Sequence, residues 1–471
     1  MERTLDPNQK AFEINLDNSI YGTFAEIGAG QEVARYFFRA GGAAGTIAKS
    51  MSAYDMTVSD DIYGRSGRYV SQERLETMLK YEFNQLDERL TSKRGEDSRF
   101  FVFADTVAAK SYKSTSECHG WMGVRFQHEV GSEPSEIIIH VRMLDQVNLQ
   151  QQEALGILGT NLLYSCYRFR DDRVTFVKSL MDNITTDRIQ IDTIQVSGPG
   201  FSHQDHRLWP LELVKRGYTD SVLFGTNGRV LSAKDTLYKK NILISRGSYR
   251  PPTHFNLDML AKGQKAFCEK LDEGERESLL ILPEISMSKL KERGQVISED
   301  FLARIDLLNK LGYMCFVSSF ATYGELSFYL NTYTNKRVAF VMGYYNLQEV
   351  FNHEKYENRP GGIFGGIGAL FGHRTDVFVY PAMSDDGKQV LTSKDADVIK
   401  DIKPLINYLS HIKRIEDIKD YDRNHFSIWS RVVLKMIQNK EEGWESMVPD
   451  IVAKAVKEEC LFDYPCDLDE E

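Results

Sequence analysis

The sequence predicts an α/β protein built on a large, mostly parallel sheet. Seven short runs rich in β-branched and aromatic residues lie between about residue 193 and residue 381, and helical segments separate most of them. Continuous apolar strands that alternate with helices are typical of a parallel sheet covered on both faces. Right-handed crossovers allow a doubly wound open sheet, with a closed barrel as the alternative. The runs are TIQVSG, SVLFG, NILIS, LLILPEI, YMCFVSS, RVAFVMG and DVFVYP.

The part of the chain before these runs predicts a mixed α+β region with long buried helices. In SQERLETMLKYEFNQLDERLTSKR, apolar residues recur at three- and four-residue spacing from Leu75 to Leu90, which predicts an amphipathic helix with Ser71 as its N-cap. RFFVFAD, GVRFQHEV and SEIIIHVRML have the composition of strands. NLQQQEALGILGTNLLYSCYRF predicts a long, mostly apolar helix that is buried.

The pattern of predicted strands and helices changes along the chain and divides it into three regions. Together they are longer than one ordinary domain with a single core. They are the mixed region of residues 1–185, an α/β domain of residues 186–385, and a C-terminal helical region of residues 386–471. After Pro381 no further strands are expected. VIKDIKPLINYLSHI, SIWSRVVLKMIQ and WESMVPDIVAKAVKEE predict the terminal helices, and CDLDEE predicts a solvated acidic tail.

The net charge and the spacing of the cysteines argue against several kinds of binding partner and cellular location. The formal net charge of −10 argues against a nucleic-acid binder and against adsorption on an anionic membrane. The N-terminus is charged from its second residue, so no signal peptide is expected, and no apolar run approaches the roughly 20 residues of a membrane span. The six cysteines are scattered without a Cys-x-x-Cys pair. A cytoplasmic protein without a thiolate metal site is therefore predicted.

The candidate binding residues lie where predicted strands end. Arg246 and Arg250 follow the NILIS run, near Lys239 and Lys240, and two guanidiniums can clamp a phosphate or carboxylate. The alternative is that they form ion pairs within the chain or between subunits. Open α/β sheets bind ligands at the carboxyl ends of their strands. The sequence therefore predicts a site for a small anionic ligand or nucleotide at Arg246, Arg250, Glu284, Ser318, Ser319, Gly343 and Asn346.

A glycine-rich stretch near the N-terminus, FAEIGAGQEVARYFF, allows two interpretations. The spacing Glu26-x-Gly28-x-Gly30 resembles the first motif of nucleotide-cofactor methyltransferases and partly fits the dinucleotide fingerprint. The alternative is a structural turn followed by a helix start. The stretch lies far from the run of α/β strands, and a single glycine motif is a weak signal. We therefore favour the structural turn.

Other patterns do not complete a catalytic motif. GPGFSHQDH brings His203, Asp205 and His206 together after a predicted strand, where they form either part of a metal site or a solvated loop; the loop is favoured and no metal is predicted. SVLFGTNGRVL resembles the nucleophile loop of haloacid dehalogenases, but Gly225 and Asn227 stand where the carboxylates are needed, which favours a tight turn. GGIFGGIGALFGH lacks the Lys and Ser of a phosphate loop. The sequence identifies neither a reaction nor a cofactor.

Several stretches resemble an uncharacterised family of bacterial cytoplasmic proteins: GTFAEIGAGQEVARYFFRAGGAAGTIAKSMSAYDM, GWMGVRFQ, IIIHVRMLD, QQEALGILGTNLLY and RGSYRP. Members of this family often carry the names TonB-dependent receptor or nicotinate-nucleotide adenylyltransferase. This sequence supports neither name. The receptor needs many alternating membrane strands, and the transferase needs a His-x-Gly-His pair, where HQDH has Asp205 in place of the glycine.

A second hypothesis is a self-associating structural or scaffold protein without catalysis. The chain has 23 Tyr and 26 Phe residues, and aromatic side chains are frequent anchors of interfaces. The turn-rich segment SAYDMTVSDDIYGRSGRY is the stretch most suited to reach a second copy. The alternative is that these aromatic residues fill the protein's own core. The two hypotheses are compatible, since a ligand-binding domain can belong to a homo-oligomer.

Overall fold

The computed structural model describes residues 4–28, 30–110, 117–292 and 295–466. The chain groups into two compact units, Met1–Asp220 and Ser221–Glu471, termed the first unit and the second unit. The predicted acidic tail lies outside the described residues from position 467 onward. Each unit is built around a β-sheet of its own.

The first unit has the mixed α+β character that the sequence predicts. Its strands are β1 (Ile20–Gly28), β2 (Ile47–Met51), β3 (Arg99–Ala108), β4 (His119–Phe126), β5 (Ser135–Met143) and β6 (Ile189–Ser197). Its helices are α1 (Pro7–Asn15), α2 (Glu32–Ala40), α3 (Met56–Tyr63), α4 (Gln72–Arg94), α5 (Asn148–Arg168), α6 (Arg173–Leu180) and α7 (Leu208–Arg216).

The strands of the first unit form one sheet with the order β2–β1–β3–β4–β5–β6. β1 runs parallel to β2 and β3, whereas β3 to β6 pair antiparallel with one another. Successive residues of a strand point to opposite faces. Phe101 and Phe103 of β3 accordingly belong to the core shared with α2 and α5, while Phe100 and Val102 belong to the core shared with α4. Helices therefore cover both faces.

The two long helices predicted in this region are confirmed. The hydroxyl of Ser71 accepts the backbone N–H of Arg74 at 3.2 Å and caps α4, and Leu75, Met78 and Leu79 bury one side of that helix. α5 is buried over most of its length, from Gln151 to Cys166. The 3.6-residue period and the long apolar run were sufficient signals because both helices pack directly against the sheet.

The run TIQVSG does not join the parallel sheet, contrary to the prediction. It forms the end of β6, which pairs antiparallel with β5 at the edge of the first sheet. β6 alternates between buried and less buried residues over its first half. That alternation is typical of a strand with one covered face, and the six-residue run alone was too short to reveal it.

The second unit contains shorter and more numerous elements. Its strands are β7 (Ser221–Phe224), β8 (Val230–Leu231), β9 (Asn241–Arg246), β10 (Leu279–Ser286), β11 (Lys291–Glu292), β12 (Gln295–Val296), β13 (Cys315–Ser318), β14 (Val338–Gly343), β15 (Thr375–Tyr380), β16 (Ala382–Met383), β17 (Val390–Leu391) and β18 (Ile415–Asp417). Its helices are α8 (Ala233–Leu237), α9 (His254–Cys268), α10 (Glu273–Arg276), α11 (Met287–Leu290), α12 (Ser298–Lys310), α13 (Tyr323–Tyr333), α14 (Tyr344–Val350), α15 (Gly362–Phe371), α16 (Lys403–His411), α17 (Ser430–Gln438) and α18 (Asp450–Glu458).

The main sheet of the second unit confirms the predicted α/β class. Its strand order is β18–β15–β14–β9–β10–β13–β7–β8, and the strands from β18 to β13 are mutually parallel. From β9 the chain adds β10 and then β13 on one side; it then returns to add β14, β15 and β18 on the other. The direction of winding therefore switches between β9 and β14. The sheet is open, with edges at β18 and β8, so the doubly wound form is observed rather than the barrel.

Two details of the predicted sheet are wrong. β7, the SVLFG run, lies antiparallel to β13, and the chain turns back at Gly225 to Arg229 to form a hairpin with β8. A short apolar run carries no information about strand direction. Strands also continue past Pro381, since β18 extends the parallel sheet beside β15. Its three residues are too few to produce a periodic signal.

Helices pack on both faces of this sheet. Leu243, Val341 and Phe378 share a core with α9 on one face. Ile244 and Phe340 belong to the core of the opposite face, which includes residues of α13, α14, α15 and α16. Of the predicted terminal helices, α17 and α18 form a separate core with α12.

Two of the cysteines form a disulfide bond. Cys460 and Cys466, which follow α18, form a disulfide bond, while Cys118, Cys166, Cys268 and Cys315 are outside it. Structural disulfides are typical of oxidising compartments. A cytoplasmic location therefore stays a prediction.

Candidate functional site

The second unit has a cavity of about 410 Å³ at the carboxyl end of its parallel strands. Its walls come from the segments that follow β9 and β15, the first turn of α9, α11, the start of α14 and the segment that enters α17. It thus lies beside the point where the sheet switches direction, between β9 and β14, and we term it the switch-point cavity. Crevices at this point bind ligands in open α/β sheets. Ligand pockets typically enclose about 300–1,000 Å³.

The charge of the cavity wall is positive. Arg246, Lys289 and Arg431 line it, and no Asp or Glu is among its described lining residues. This contrasts with the net charge of −10 of the whole chain. Lys289 and Arg431 form no ion pair with any residue in the described part of the chain. Their charges are therefore the ones left to interact with a ligand.

Arg246 is held by a buried carboxylate at the end of the neighbouring strand. Its Nε and Nη2 atoms donate to Glu284 at 2.7 Å and 3.1 Å, and the hydroxyl of Ser318 donates to the same carboxylate at 2.6 Å. Glu284 is fully buried. Burial disfavours the charge of Arg246, but the facing carboxylate raises the pKa of Arg246 above its ordinary value. Arg246 is therefore a fixed cation whose charge Glu284 largely balances.

A neighbouring lysine reports the positive potential in this region. Burial lowers the pKa of Lys355, and the charges of Lys289 and Arg246 lower it further. Lys355 itself forms an ion pair with Glu349 of α14. The positive charges of Lys289 and Arg246 thus both act at the position of Lys355.

A buried arginine fixes two segments of the cavity wall. Arg304 of α12 donates from Nη1 to the backbone carbonyls of Ser248 and Lys289, at 3.3 Å and 2.8 Å. Its charge is paired with Asp300 one turn earlier on the same helix. Because one guanidinium holds both carbonyls, the segment after β9 and the segment of α11 keep a fixed separation.

Aromatic side chains form much of the apolar wall. Tyr345 and Trp429 stand partly exposed, with ring centroids 5.7 Å apart, whereas Tyr344 and Phe426 are buried. The guanidinium of Arg431 lies 5.3 Å from the centroid of the Trp429 ring. The cavity therefore combines cationic groups with flat apolar surfaces.

The structure brings some of the predicted site residues together and separates others. Arg246, Gly343 and Asn346 line the switch-point cavity, and Glu284 and Ser318 lie behind Arg246 as its buried partners.

Arg250 and Ser319 are not among the residues that line the cavity. Arg250 pairs with Asp300, so the two arginines form separate intramolecular ion pairs instead of one clamp. Lys239 and Lys240 precede β9 and thus lie at the opposite end of that strand from Arg246. The direction of β9 therefore places these two lysines away from the cavity.

Three residues of the wall were missed by the sequence analysis. Lys289 follows β10 closely, so the rule that strand ends bind ligands contained the signal for it. Trp429 and Arg431 enter from a segment that follows the last strand of the sheet. No pattern in the sequence indicates that this segment returns to the cavity.

The glycine-rich stretch of the first unit forms a turn and a helix start, as favoured above. The carboxylate of Glu26 accepts the backbone N–H groups of Val33 and Ala34 at 2.9 Å and 3.3 Å, at the first turn of α2. The acidic residue of the motif is thus a helix cap. Ala29, between the two glycines, lies outside the described residues.

The remaining candidate patterns are parts of the scaffold. Asp205 accepts the side chain of its neighbour Arg207, in a polar loop before α7 that also holds the exposed His203. The GTNG segment is the turn between β7 and β8, and GGIFGGIGALF forms α15. Among the described residues, no group of three or more His, Cys, Asp or Glu side chains is arranged to hold a metal ion. None of the described helices has the length and apolar character needed to cross a bilayer.

Comparisons with known proteins add little to this description. No family model matches the sequence, and no curated protein matches it either. Solved structures similar to part of the chain are a competence/damage-inducible protein from Agrobacterium tumefaciens (15% identity, 35% of this chain and 98% of that one, TM-score 0.27) and a CinA superfamily protein from Klebsiella pneumoniae (12% identity, 34% and 92%, TM-score 0.25). A further CinA superfamily protein, from Enterobacter cloacae, has 12% identity over 35% and 95%, with a TM-score of 0.25. Likenesses this low support no inference about function.

Proposed function

We propose that the second unit binds a small anionic ligand in the switch-point cavity. The observation that carries the proposal is the charge of the wall. Two cations without ion-pair partners in the described chain, Lys289 and Arg431, line the same cavity as Arg246, and its described lining residues include no carboxylate. An unbalanced cluster of cations is costly to bring together unless an anion binds there.

The place of the cavity in the fold supports the same proposal. The cavity opens at the carboxyl ends of β9 and β14, where the winding of the sheet reverses. The first turn of α9 also contributes to the wall and contains no acidic residue. The positive end of this helix dipole adds to the field of the side chains. These features favour a negatively charged ligand over a neutral one.

Isothermal titration calorimetry at low salt tests the proposal. The probes are inorganic phosphate, pyrophosphate, ribose 5-phosphate and adenosine 5′-monophosphate. We expect at least one of them to bind, and we expect Lys289→Ala and Arg431→Ala each to weaken its affinity by about tenfold, because a charge-assisted hydrogen bond contributes about 1.5–3 kcal/mol. Affinity should also fall as salt is added.

The matched control is Lys454→Ala, which removes a lysine of the second unit whose side chain is 71% exposed and lies outside the cavity wall. It should leave the affinity unchanged. Absence of binding by every probe, or equal binding by wild type and the Lys289→Ala/Arg431→Ala double variant, would contradict the proposal.

A second candidate function is self-association through the first unit. Tyr54, Met56 and Val58, in the segment singled out above, are 77%, 62% and 49% exposed. Exposed apolar side chains that cluster in sequence are typical of protein interfaces. We propose a second copy of the chain as the partner.

Analytical ultracentrifugation across micromolar concentrations tests this candidate. We expect a dimer or larger oligomer that dissociates in the Tyr54→Ser/Met56→Ser variant. The control is Leu149→Ser, an equally exposed apolar residue elsewhere in the first unit, at 69% exposure. A wild-type protein that sediments as a strict monomer at all concentrations ends the idea.

A further inference from the structure

Two aromatic rings at the switch-point cavity remain uncovered in the described structure. Tyr345 is 38% exposed and Trp429 is 42% exposed, and both belong to the cavity wall. Trp121, Trp209 and Trp444 are by contrast buried. Large aromatic side chains usually bury most of their surface. Their exposure beside a cavity points to a flat apolar group as their partner.

The same rings lie beside the cationic groups. The guanidinium of Arg431 is 5.3 Å from the centroid of the Trp429 ring, and it follows Trp429 by two residues in the chain. Tyr345 directly precedes Asn346 in the first turn of α14, and both residues line the cavity. A ligand that stacks on these rings therefore lies close to the guanidinium of Arg431 and to the side-chain amide of Asn346.

We infer that the ligand is a nucleoside phosphate, whose base stacks on Trp429 and Tyr345 and whose phosphate binds Lys289 and Arg431. This inference rests on the proposed anion site and adds the chemical class of the ligand. Inorganic anions and sugar phosphates have no base to stack on the aromatic rings, so they bind only the cations of the wall. A nucleotide uses the cations and the aromatic rings together, and base stacking on aromatic side chains is tolerant of base identity.

The size and lining of the cavity agree with this class. Its volume of about 410 Å³ lies in the range of pockets that enclose small organic molecules. Ser248, Asn256, Asn346 and Ser430 add polar groups to the wall. The hydroxyl of Ser430 donates to Asn256 at 3.3 Å, which joins α9 to the segment that carries Trp429.

Calorimetry with a matched set of probes tests the inference. Wild-type protein is titrated with the 5′-monophosphates of adenosine, guanosine, cytidine and uridine, and with ribose 5-phosphate. We expect at least one nucleotide to bind tenfold or more tightly than ribose 5-phosphate. Trp429→Leu should remove that difference.

Tryptophan fluorescence gives a second, independent readout. Trp429 is the one Trp residue with substantial exposure among the four in the chain, so its fluorescence is the part that added iodide quenches. A base stacked on Trp429 should quench the same part of the fluorescence. The control variant is Tyr408→Leu, an aromatic residue of the second unit that is 59% exposed and lies outside the cavity. It should retain both the tenfold difference and the quenching.

The outcomes separate the two proposals. If ribose 5-phosphate binds as tightly as every nucleotide, and Trp429→Leu changes nothing, the nucleotide inference is wrong while the anion site stands. If none of the probes binds, both are wrong. If nucleotides bind but Lys289→Ala/Arg431→Ala binds them equally well, the phosphate contacts are wrong and the site lies elsewhere.

Discussion

Glu26 and Asp105 are two carboxyl groups buried side by side in the first unit. Glu26 is 2% exposed and Asp105 is fully buried. Glu26 accepts two backbone N–H groups at the start of α2, and Asp105 accepts the backbone N–H of Ile27 at 3.2 Å. Burial and the neighbouring carboxylate raise the pKa of Asp105 well above its ordinary value, and burial raises the pKa of Glu26 to about 8. Glu26 therefore keeps its proton at neutral pH.

This pair predicts how the stability of the first unit depends on pH. An unfolded glutamate releases its proton near its ordinary pKa of 4.5, whereas the folded protein retains it until about pH 8. The folded state thus binds more protons between these values, so the free energy of unfolding falls as pH rises through that window. Hydrogen exchange of β1 and β3, corrected for intrinsic rates, should show a loss of at least about 1.4 kcal/mol, the equivalent of one pKa unit.

Asp105→Asn is the test of cause. Its side chain is neutral at every pH and keeps an oxygen to accept the N–H of Ile27, so the decrease of stability between pH 4.5 and pH 8 should become smaller. Asp55→Asn, at a fully exposed position of the same unit, is the control and should retain the wild-type dependence. A wild-type first unit whose stability rises over this window would contradict the assignment.

The pair of Arg246 and Glu284 predicts a second effect at the scale of single residues. Arg246→Ala leaves a fully buried carboxylate without its cation, which costs about 3–5 kcal/mol of unfolding free energy. Lys289→Ala and Arg431→Ala remove exposed cations without ion-pair partners in the described chain, so each should change stability by no more than about 0.5 kcal/mol. Urea unfolding measures all three. Equal stability of Arg246→Ala and wild type would show that the buried pair is absent.

At the scale of elements, the packing of α9 on the sheet depends on a glycine. A Cβ atom at Gly263 would approach the side chain of Val341 in β14 to 2.8 Å, whereas a Cβ at Gly368 in α15 meets nothing within 4 Å. Alanine is preferred over glycine in a helix by about 1 kcal/mol. The close approach of α9 to β14 therefore explains why Gly263 is retained.

These two glycines predict opposite effects of the same substitution. Gly368→Ala should stabilise the second unit by up to about 1 kcal/mol, through helix propensity alone. Gly263→Ala should destabilise it by about 1 kcal/mol, because the cost of overpacking, about 1–3 kcal/mol, exceeds that gain. Thermal unfolding monitored by circular dichroism measures both. A stabilising Gly263→Ala would mean that α9 does not pack closely on β14.

Elements with a strong local period were predictable from the sequence, and short ones were not. α4 and α5 follow from the spacing and composition of their residues, since each packs directly on a sheet over many turns. The direction of β7 and the existence of β18 depend on which strands lie beside them. Strands of three or four residues contain no signal for the identity of a neighbouring strand, so tertiary contacts decide these cases.

The candidate site was predictable to the extent that strand ends define it. Arg246, Gly343 and Asn346 follow from the rule for parallel sheets. Trp429 and Arg431 do not, because they depend on the path of the chain after β18. Arg250 was grouped with Arg246 by proximity in sequence, but the segment between them turns Arg250 toward Asp300. Sequence distance is a poor guide to side-chain direction in a loop.

At the scale of the whole molecule, the number of reactive thiols tests the disulfide bond. The chain has six cysteines, of which Cys460 and Cys466 form a disulfide bond and the other four do not. Protein unfolded in guanidinium without reductant should therefore react with four equivalents of a thiol reagent. After reduction it should react with six. Six reactive thiols before reduction would show that the bond does not form in the isolated protein.

The function proposed for the second unit requires that an anion binds in the switch-point cavity, between the ends of β9 and β14. A crystal structure of the protein grown with the tightest-binding probe of the titration series at saturating concentration tests it most directly. We expect the phosphate within hydrogen-bonding distance of Lys289 or Arg431, and the base against Trp429. A ligand bound at another surface, with the switch-point cavity holding only solvent, would contradict the account.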